Sequence, residues 1–305
     1  MAARALGWPV AVVAASWLAV APAWAADVWI IKTSDVPSWR PALDAMRTAL
    51  PGHTLTEHDL KGQLAEGKPL ASLLAAPNRI LVAMGPLAAH FARQEAPRRP
   101  LVYSMVLDPK GLGLLDAPDT AGVAFLIPPR DQLAAFRMVA PQVHTIGVIV
   151  GTDAVRGLAD EAGKHASTMG LTLVSRAVSS PKDIPGALRD LLAKPVDAFW
   201  VLPDPALLAP EVRRHLLAEA LKAGKPVFSY SATMVPEGAL ASSSPDYHSI
   251  GEKIAVLVQR VASGTALGKG EILVPSAELV INKKVADRLG LQVPAEAMKM
   301  ATRVY

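Results

Sequence analysis

The stretch "GALASSSPDYHSIG", residues 238–251, stands out in a chain rich in Ala, Leu and Val. An apolar run stops at three consecutive serines, meets Pro-Asp, and continues with helical spacing. Pro245 sets the approach and Asp246 is a good N-cap for a helix from Tyr247 to about Ser263. Tyr247, Ile250, Ile254, Leu257, Val258 and Val261 share one face of that helix, and Glu252, Lys253, Gln259 and Arg260 lie away from it. Gly264 ends it. Upstream, "GALASS" reads as a strand of small residues. On residue types alone, a surface loop fits as well as a strand crossing between two lobes.

The pattern on either side favours the crossing. Short apolar runs alternate with amphipathic segments from "VWIIK" (28–32) to "PVFSY" (226–230). Between these come "TLTEH" (54–58), "RILVAM" (79–84), "LVYSM" (101–105), "AGVAFL" (121–126), "TIGVIV" (145–150), "LTLVSRAV" (171–178) and "AFWVL" (198–202). Several are apolar on both alternating sets, as expected of parallel strands covered on both faces. Helices are expected over "PALDAMRTAL", "DQLAAFRMVA" and "PEVRRHLLAEALKAG". The alternation breaks once, after "LVYSMVLDP", where "KGLGLLDAPDT" carries turn residues and no helix pattern. One open sheet would not need that break, but two sheets would. The expected fold class is therefore α/β, with two doubly wound parallel-sheet lobes joined by a multi-strand hinge. A first crossing is expected near residues 119 to 128. One lobe is assigned residues 26–121 plus 243–275, and the other 122–242 plus 276–305.

Composition narrows the function. The 305 residues hold 31 Lys and Arg against 27 Asp and Glu, a net charge of +4, with the charges mixed along the chain. There is no basic stripe for a nucleic acid. There is no cysteine, so disulfide and thiolate chemistry are excluded. Residues 1–25 read as a cleaved signal peptide: Arg4, an apolar centre "PVAVVAASWLAV", and "AWA" before the expected cut after Ala25. The expected product is a monomer of the periplasm.

No catalytic constellation appears, and neither a cofactor nor a metal site is expected. His53 and His58 have no paired carboxylates nearby, and there is no nucleophile elbow, Walker loop or Gly-x-Gly-x-x-Gly. Asp108 and Asp204 could be imagined as an acid–base pair, but both sit in Asp-Pro dipeptides that mark turns. What remains is polar residues at the carboxyl ends of the expected strands, where open α/β sheets bind ligands. The candidates from the first lobe are Ser34, Asp35, Gly85, Pro86 and Ser104. Those from the second are Thr152, Asp204, Ser229, Tyr230 and Ser231. Gly85-Pro86 reads as a helix start whose N–H groups could receive a carboxylate. Tyr230 or Trp39 could stack on a flat ligand, with core packing the competing role for Trp39.

Three segments carry a family resemblance: "PLVYSMVLDPKGLGLL", the long run from "VDAFWVLPDP" through "SSSPDYHSIGEKIAVLVQRVASG", and "ELVINKKVADRLGLQVP". They resemble the ABC-transporter substrate-binding proteins with the type I periplasmic-binding fold, the group that includes tryptophan- and tyrosine-binding members. The resemblance implies two lobes around a cleft and a small-molecule ligand. It also implies an inner-membrane ABC permease as partner, with a sensor protein as the alternative. The ligand would be aromatic, amino-acid-like or carboxylate-bearing. The chain departs from the family in three places, one of them the stretch after Asp108, where "LLDAPDTAGVAF" stands instead of a longer Pro-Gly-Asn-rich turn. The first lobe is short between "TLTEHDL" and "NRILVAMG". Ser231-Ala232 also stands where amino-acid-binding members commonly offer an acidic residue, so Asp35 or Asp204 would have to substitute, or the ligand lacks an amine.

Overall fold

The computed structural model describes residues 25–305 except 75, 78 and 208. The expected signal segment lies outside the described residues. Strands β1 (Asp27–Lys32), β2 (Thr54–Asp59), β3 (Arg79–Met84), β4 (Leu101–Ser104) and β5 (Thr120–Val123) build a first sheet. Strands β6 (Thr145–Val150), β7 (Thr172–Ala177), β8 (Ala198–Val201), β9 (Val227–Ser229) and β10 (Ala241–Pro245) build a second. The chain then returns to the first sheet with β11 (Glu271–Leu273) and to the second with β12 (Ala277–Ile281) and β13 (Arg303–Val304). The strand orders are β11-β5-β4-β3-β1-β2 and β13-β12-β10-β9-β8-β6-β7. Every pairing is parallel except β10 with β12. Two separate sheets, each wound with helices, are what the alternation of apolar runs implied.

Inner strands of each sheet are buried on both faces because they are apolar at both parities. In β1, Val28 and Ile30 join one core, and Trp29 and Ile31 join the other. In the second sheet, Val148 and Trp200 face one core while Ile149 and Phe199 face its opposite. Period-two alternation delivers this as soon as helices cover both sides. The segment between β2 and β3 is less bare than its sequence suggests. A short helix, Lys68–Leu74, completes a βαβ unit there.

The chain changes sheets three times. The changes fall at 124–128, at Asp246, and at 274–276. β5 stays in the first sheet through Val123 and β10 in the second through Pro245, each a little beyond the expected lobe limits. The crossings run side by side and bond to one another. Ala124 N–H donates to the Leu273 carbonyl at 2.9 Å, and Asp246 N–H to the Ser276 carbonyl at 2.9 Å. Ser276 N–H donates to the Ser249 hydroxyl at 3.0 Å.

The serine stretch thus ends a strand of one lobe, and the helix it enters packs on the other. That helix, Tyr247–Ala262, buries Ile250, Ile254, Leu257 and Val258. Its closest neighbour is the helix Arg40–Ala49. Gly251 faces that neighbour, where any Cβ would run into the Ala42 carbonyl and come within 2.8 Å of the Ala45 Cβ. Only a glycine lets the two backbones approach this closely. Gly251→Ala should therefore lower stability by about 1–3 kcal/mol, the usual cost of overpacking a rigid contact. Urea unfolding checks this; an unchanged midpoint would show that the helices are not in backbone contact there.

Candidate functional site

A cavity of about 690 Å³ lies at the carboxyl edges of the two sheets, beside the crossings. That volume suits one small organic molecule. The first lobe contributes Val36, Ser38, Trp39 and Pro41, from the turn after β1 and the helix it enters. The second contributes Tyr230, Ser231 and Thr233, after β9. Phe125 and the run Ser244 to Tyr247 come from two crossings. Glu278 and Arg303 reach the same edge because β12 and β13 run antiparallel to β10, which brings their first residues to its end.

The lining is rich in rings. The chain has only four tyrosines, and three of them, Tyr230, Tyr247 and Tyr305, line this cavity together with Trp39 and Phe125. Burial pushes the Tyr230 phenol up from its ordinary pKa, and the nearby Tyr247 adds to this. Burial also raises Tyr247, against the pull of its hydrogen bond with Ser38. Both rings stay neutral at neutral pH. Ser244 Oγ is buried and has no hydrogen-bond partner among the described residues.

The residues singled out from sequence do not all meet here. Tyr230 and Ser231 line the cavity, and so does Trp39, which is half-buried against the first lobe's core. Gly85 sits just behind Trp39. It has φ 92°, and a Cβ there would lie 2.6 Å from Thr33 Oγ1 and 3.2 Å from the Trp39 ring. Pro86 begins its helix, but Thr33 Oγ1 already accepts the Ala88 N–H at 3.1 Å. Ser104 is fully buried and donates to the Val123 carbonyl. Ser229 is buried too; it donates to Met234 Sδ and accepts the Ser231 N–H. Ser34 and Asp35 follow β1 outside the cavity lining.

Asp35 is exposed and paired with Lys32 at 2.8 Å, which holds its carboxyl below the usual range through that hydrogen bond and charge. Burial would lower the Lys32 ammonium, but its bonds to Asp35 and Glu57 outweigh this and raise it.

Thr152 and Asp204 share a second, smaller hollow of about 260 Å³ with Ser179 and Ser180. Thr152 caps the helix Asp153–Thr168. Asp204 is only 1% exposed. Its carboxylate accepts N–H groups from Gly151 at 2.6 Å, Thr152 at 3.1 Å and Ala206 at 2.9 Å. It is fully engaged in tying these loop segments together. Asp108 likewise accepts the Gly111 N–H within its own turn.

Sequence reasoning passed over Ser244, Asp246, Glu278 and Arg303. The first two sat in the serine stretch, read only as strand and cap. The last two lie far apart in sequence and meet only through the β12–β13 pairing, which leaves no local signal.

Comparison with known proteins agrees with this architecture. A family model described as "ABC transporter substrate binding protein" matches residues 61–305. No match is found among curated proteins. Among solved structures, an ABC domain in complex with L-Trp from Streptococcus pneumonia is 23% identical, with TM-score 0.71 over 92% of this chain and 100% of that one. A ligand-free, open substrate binding protein with adhesive properties from Clostridium difficile is 18% identical, with TM-score 0.78 over 92% and 99%. A carbohydrate transporter solute binding protein from Agrobacterium Radiobacter, in complex with D-arabinose, is 13% identical, with TM-score 0.56 over 92% and 99%. At these identities the likeness concerns the fold.

The engagement of Asp204 has a measurable consequence. Asp204→Ala would take the shared acceptor from three half-buried N–H groups, and hydrogen bonds to a charged group contribute about 1.5–3 kcal/mol. The variant should unfold at clearly lower urea concentration. Unchanged stability would return Asp204 to the role of a free acid.

Proposed function

The chain belongs to the ABC transporter substrate binding protein family, and on that premise we propose that it captures a small aromatic ligand between its lobes for an ABC importer. The observation that carries this reading is the composition of the cavity wall. Trp39, Phe125, Tyr230 and Tyr247 surround one space, drawn from both lobes and the crossings between them. Rings in such a wall offer large apolar area with little rotamer entropy to lose, and ring pairs add about 0.5–1.5 kcal/mol beyond burial.

The mechanism is closure. A ligand that touches both lobes binds the closed arrangement better and so shifts the population towards it. The three crossings form the hinge, because they are the short segments that join the lobes. In this reading the protein acts as a monomer and delivers its ligand to a permease unchanged. The two acids that sequence suggested for chemistry support that view, since Asp204 and Asp108 are bound to backbone N–H groups. The amino-terminal segment with Arg4 and "AWA" would direct the chain to the periplasm.

A thermal-melt screen of amino acids, aromatic acids, heterocycles and sugars tests the proposal. A ligand at a hundred times its Kd adds about 2.7 kcal/mol to stability. Ring-bearing compounds should raise the Tm, and Trp39→Ala and Tyr230→Ala should each weaken binding by about tenfold or more. Stabilisation by sugars or aliphatic compounds alone, or unchanged affinity in both variants, would contradict it.

A further inference from the structure

The charges on the cavity wall are unevenly committed. Arg303 is the one cation among the described residues that line it, and it is held by Glu278 at 3.3 Å. Asp246 has no cationic partner among the described residues. One of its oxygens accepts the His248 N–H at 2.8 Å as an N-cap. The wall therefore carries a net negative charge set among rings. A cationic ligand would meet both Asp246, unpaired among the described residues, and ring faces, which attract cations.

A second observation marks the same spot. Ser244 is 3% exposed, its Oγ has no partner among the described residues, and it lines the cavity. Buried hydroxyls without partners are uncommon and call for one. Ser244 lies two residues before Asp246, so along an extended chain the two side chains point the same way, about 6.6 Å apart. Across the β10–β12 pairing, Ser244 sits directly opposite Glu278. The hydroxyl thus lies between Asp246, which has no cationic partner among the described residues, and Glu278, whose charge is shared with Arg303.

We propose that Asp246, with Ser244 and Glu278 beside it, is the counter-ion site for a cationic nitrogen carried by the ligand. This rests on reading the cavity as an aromatic-ligand site, and it narrows the ligand class to aromatic amines. Asp204 and Asp35 are otherwise engaged, and Asp246 enters the cavity from the neighbouring crossing.

The test is calorimetric titration of the full chain with tryptamine, 3-methylindole and indole-3-acetate, in the parent and in Asp246→Asn. Asparagine caps helices as well as aspartate does, so the variant removes the charge and keeps the cap. The parent should bind tryptamine about tenfold or more tighter than 3-methylindole, and indole-3-acetate weakest. In Asp246→Asn the preference for the amine should fall to within about twofold, with 3-methylindole unchanged. If the variant melts early, Asp246→Ser, another capping residue, gives the same comparison. Equal binding of tryptamine and 3-methylindole by the parent would overturn the inference while leaving the aromatic reading in place. So would an amine preference that survives the substitution, or tighter binding of indole-3-acetate. If none of the three binds while another ring compound raises the Tm, the inference fails and the aromatic reading stands; if no ring compound raises the Tm, both fail.

Discussion

Asp246 N–H donates to the Ser276 carbonyl at 2.9 Å, and much of the molecule's geometry follows from that bond between two crossings. It fixes the place where β10 stops belonging to one lobe and the next helix starts belonging to the other. The neighbouring bond from Ala124 to Leu273 and the Ser249–Ser276 contact keep all three passes together. A hinge made this way is narrow and lies at one end of both sheets. The carboxyl edges of the two sheets must then face a common space, and side chains that follow the strands must enter it.

The small residues of the serine stretch are what allow the arrangement. Ala241 to Ser244 are almost fully buried within a sheet whose other strands carry Val, Phe and Trp. Of β10, Ser244 and Pro245 reach the cavity wall, so a large side chain at position 244 would intrude on the cavity. Gly251 has the matching role just inside the following helix, letting that helix seat against Arg40–Ala49 and so holding Trp39 at the cavity wall. Gly85 keeps clear the space behind the same tryptophan. Ring placement in this protein therefore depends on small residues, among them glycines that never need to touch a ligand.

The fold was legible because it is written in local pattern. Apolar runs such as "RILVAM" and "TIGVIV" read as strands covered on both faces; the gap at "KGLGLLDAPDT" pointed to two sheets, although it lies within the first sheet, between β4 and β5, and the chain changes sheet just after β5. The site was less legible. Tyr230 and Ser231 follow a strand in sequence and sit at its tip in space, so the strand-end rule reached them. The same rule also named Asp204, Ser104 and Ser229, because a polar residue at a strand tip looks alike in sequence whether it faces a cavity or ties down backbone. Glu278 and Arg303 were beyond reach, since the antiparallel turn of β12 and the parallel return of β13 bring them there from distant stretches of the chain.

The central claim is that one ligand bridges two lobes at these crossings, and a crystal structure of the protein with a ring compound that raises its Tm tests it most directly. The account predicts the ring between Trp39 and Tyr230, touched by residues of both lobes, with the lobes closed upon it. A ring bound on a single lobe, or one lodged in the hollow beside Asp204 and away from the larger cavity, would contradict it.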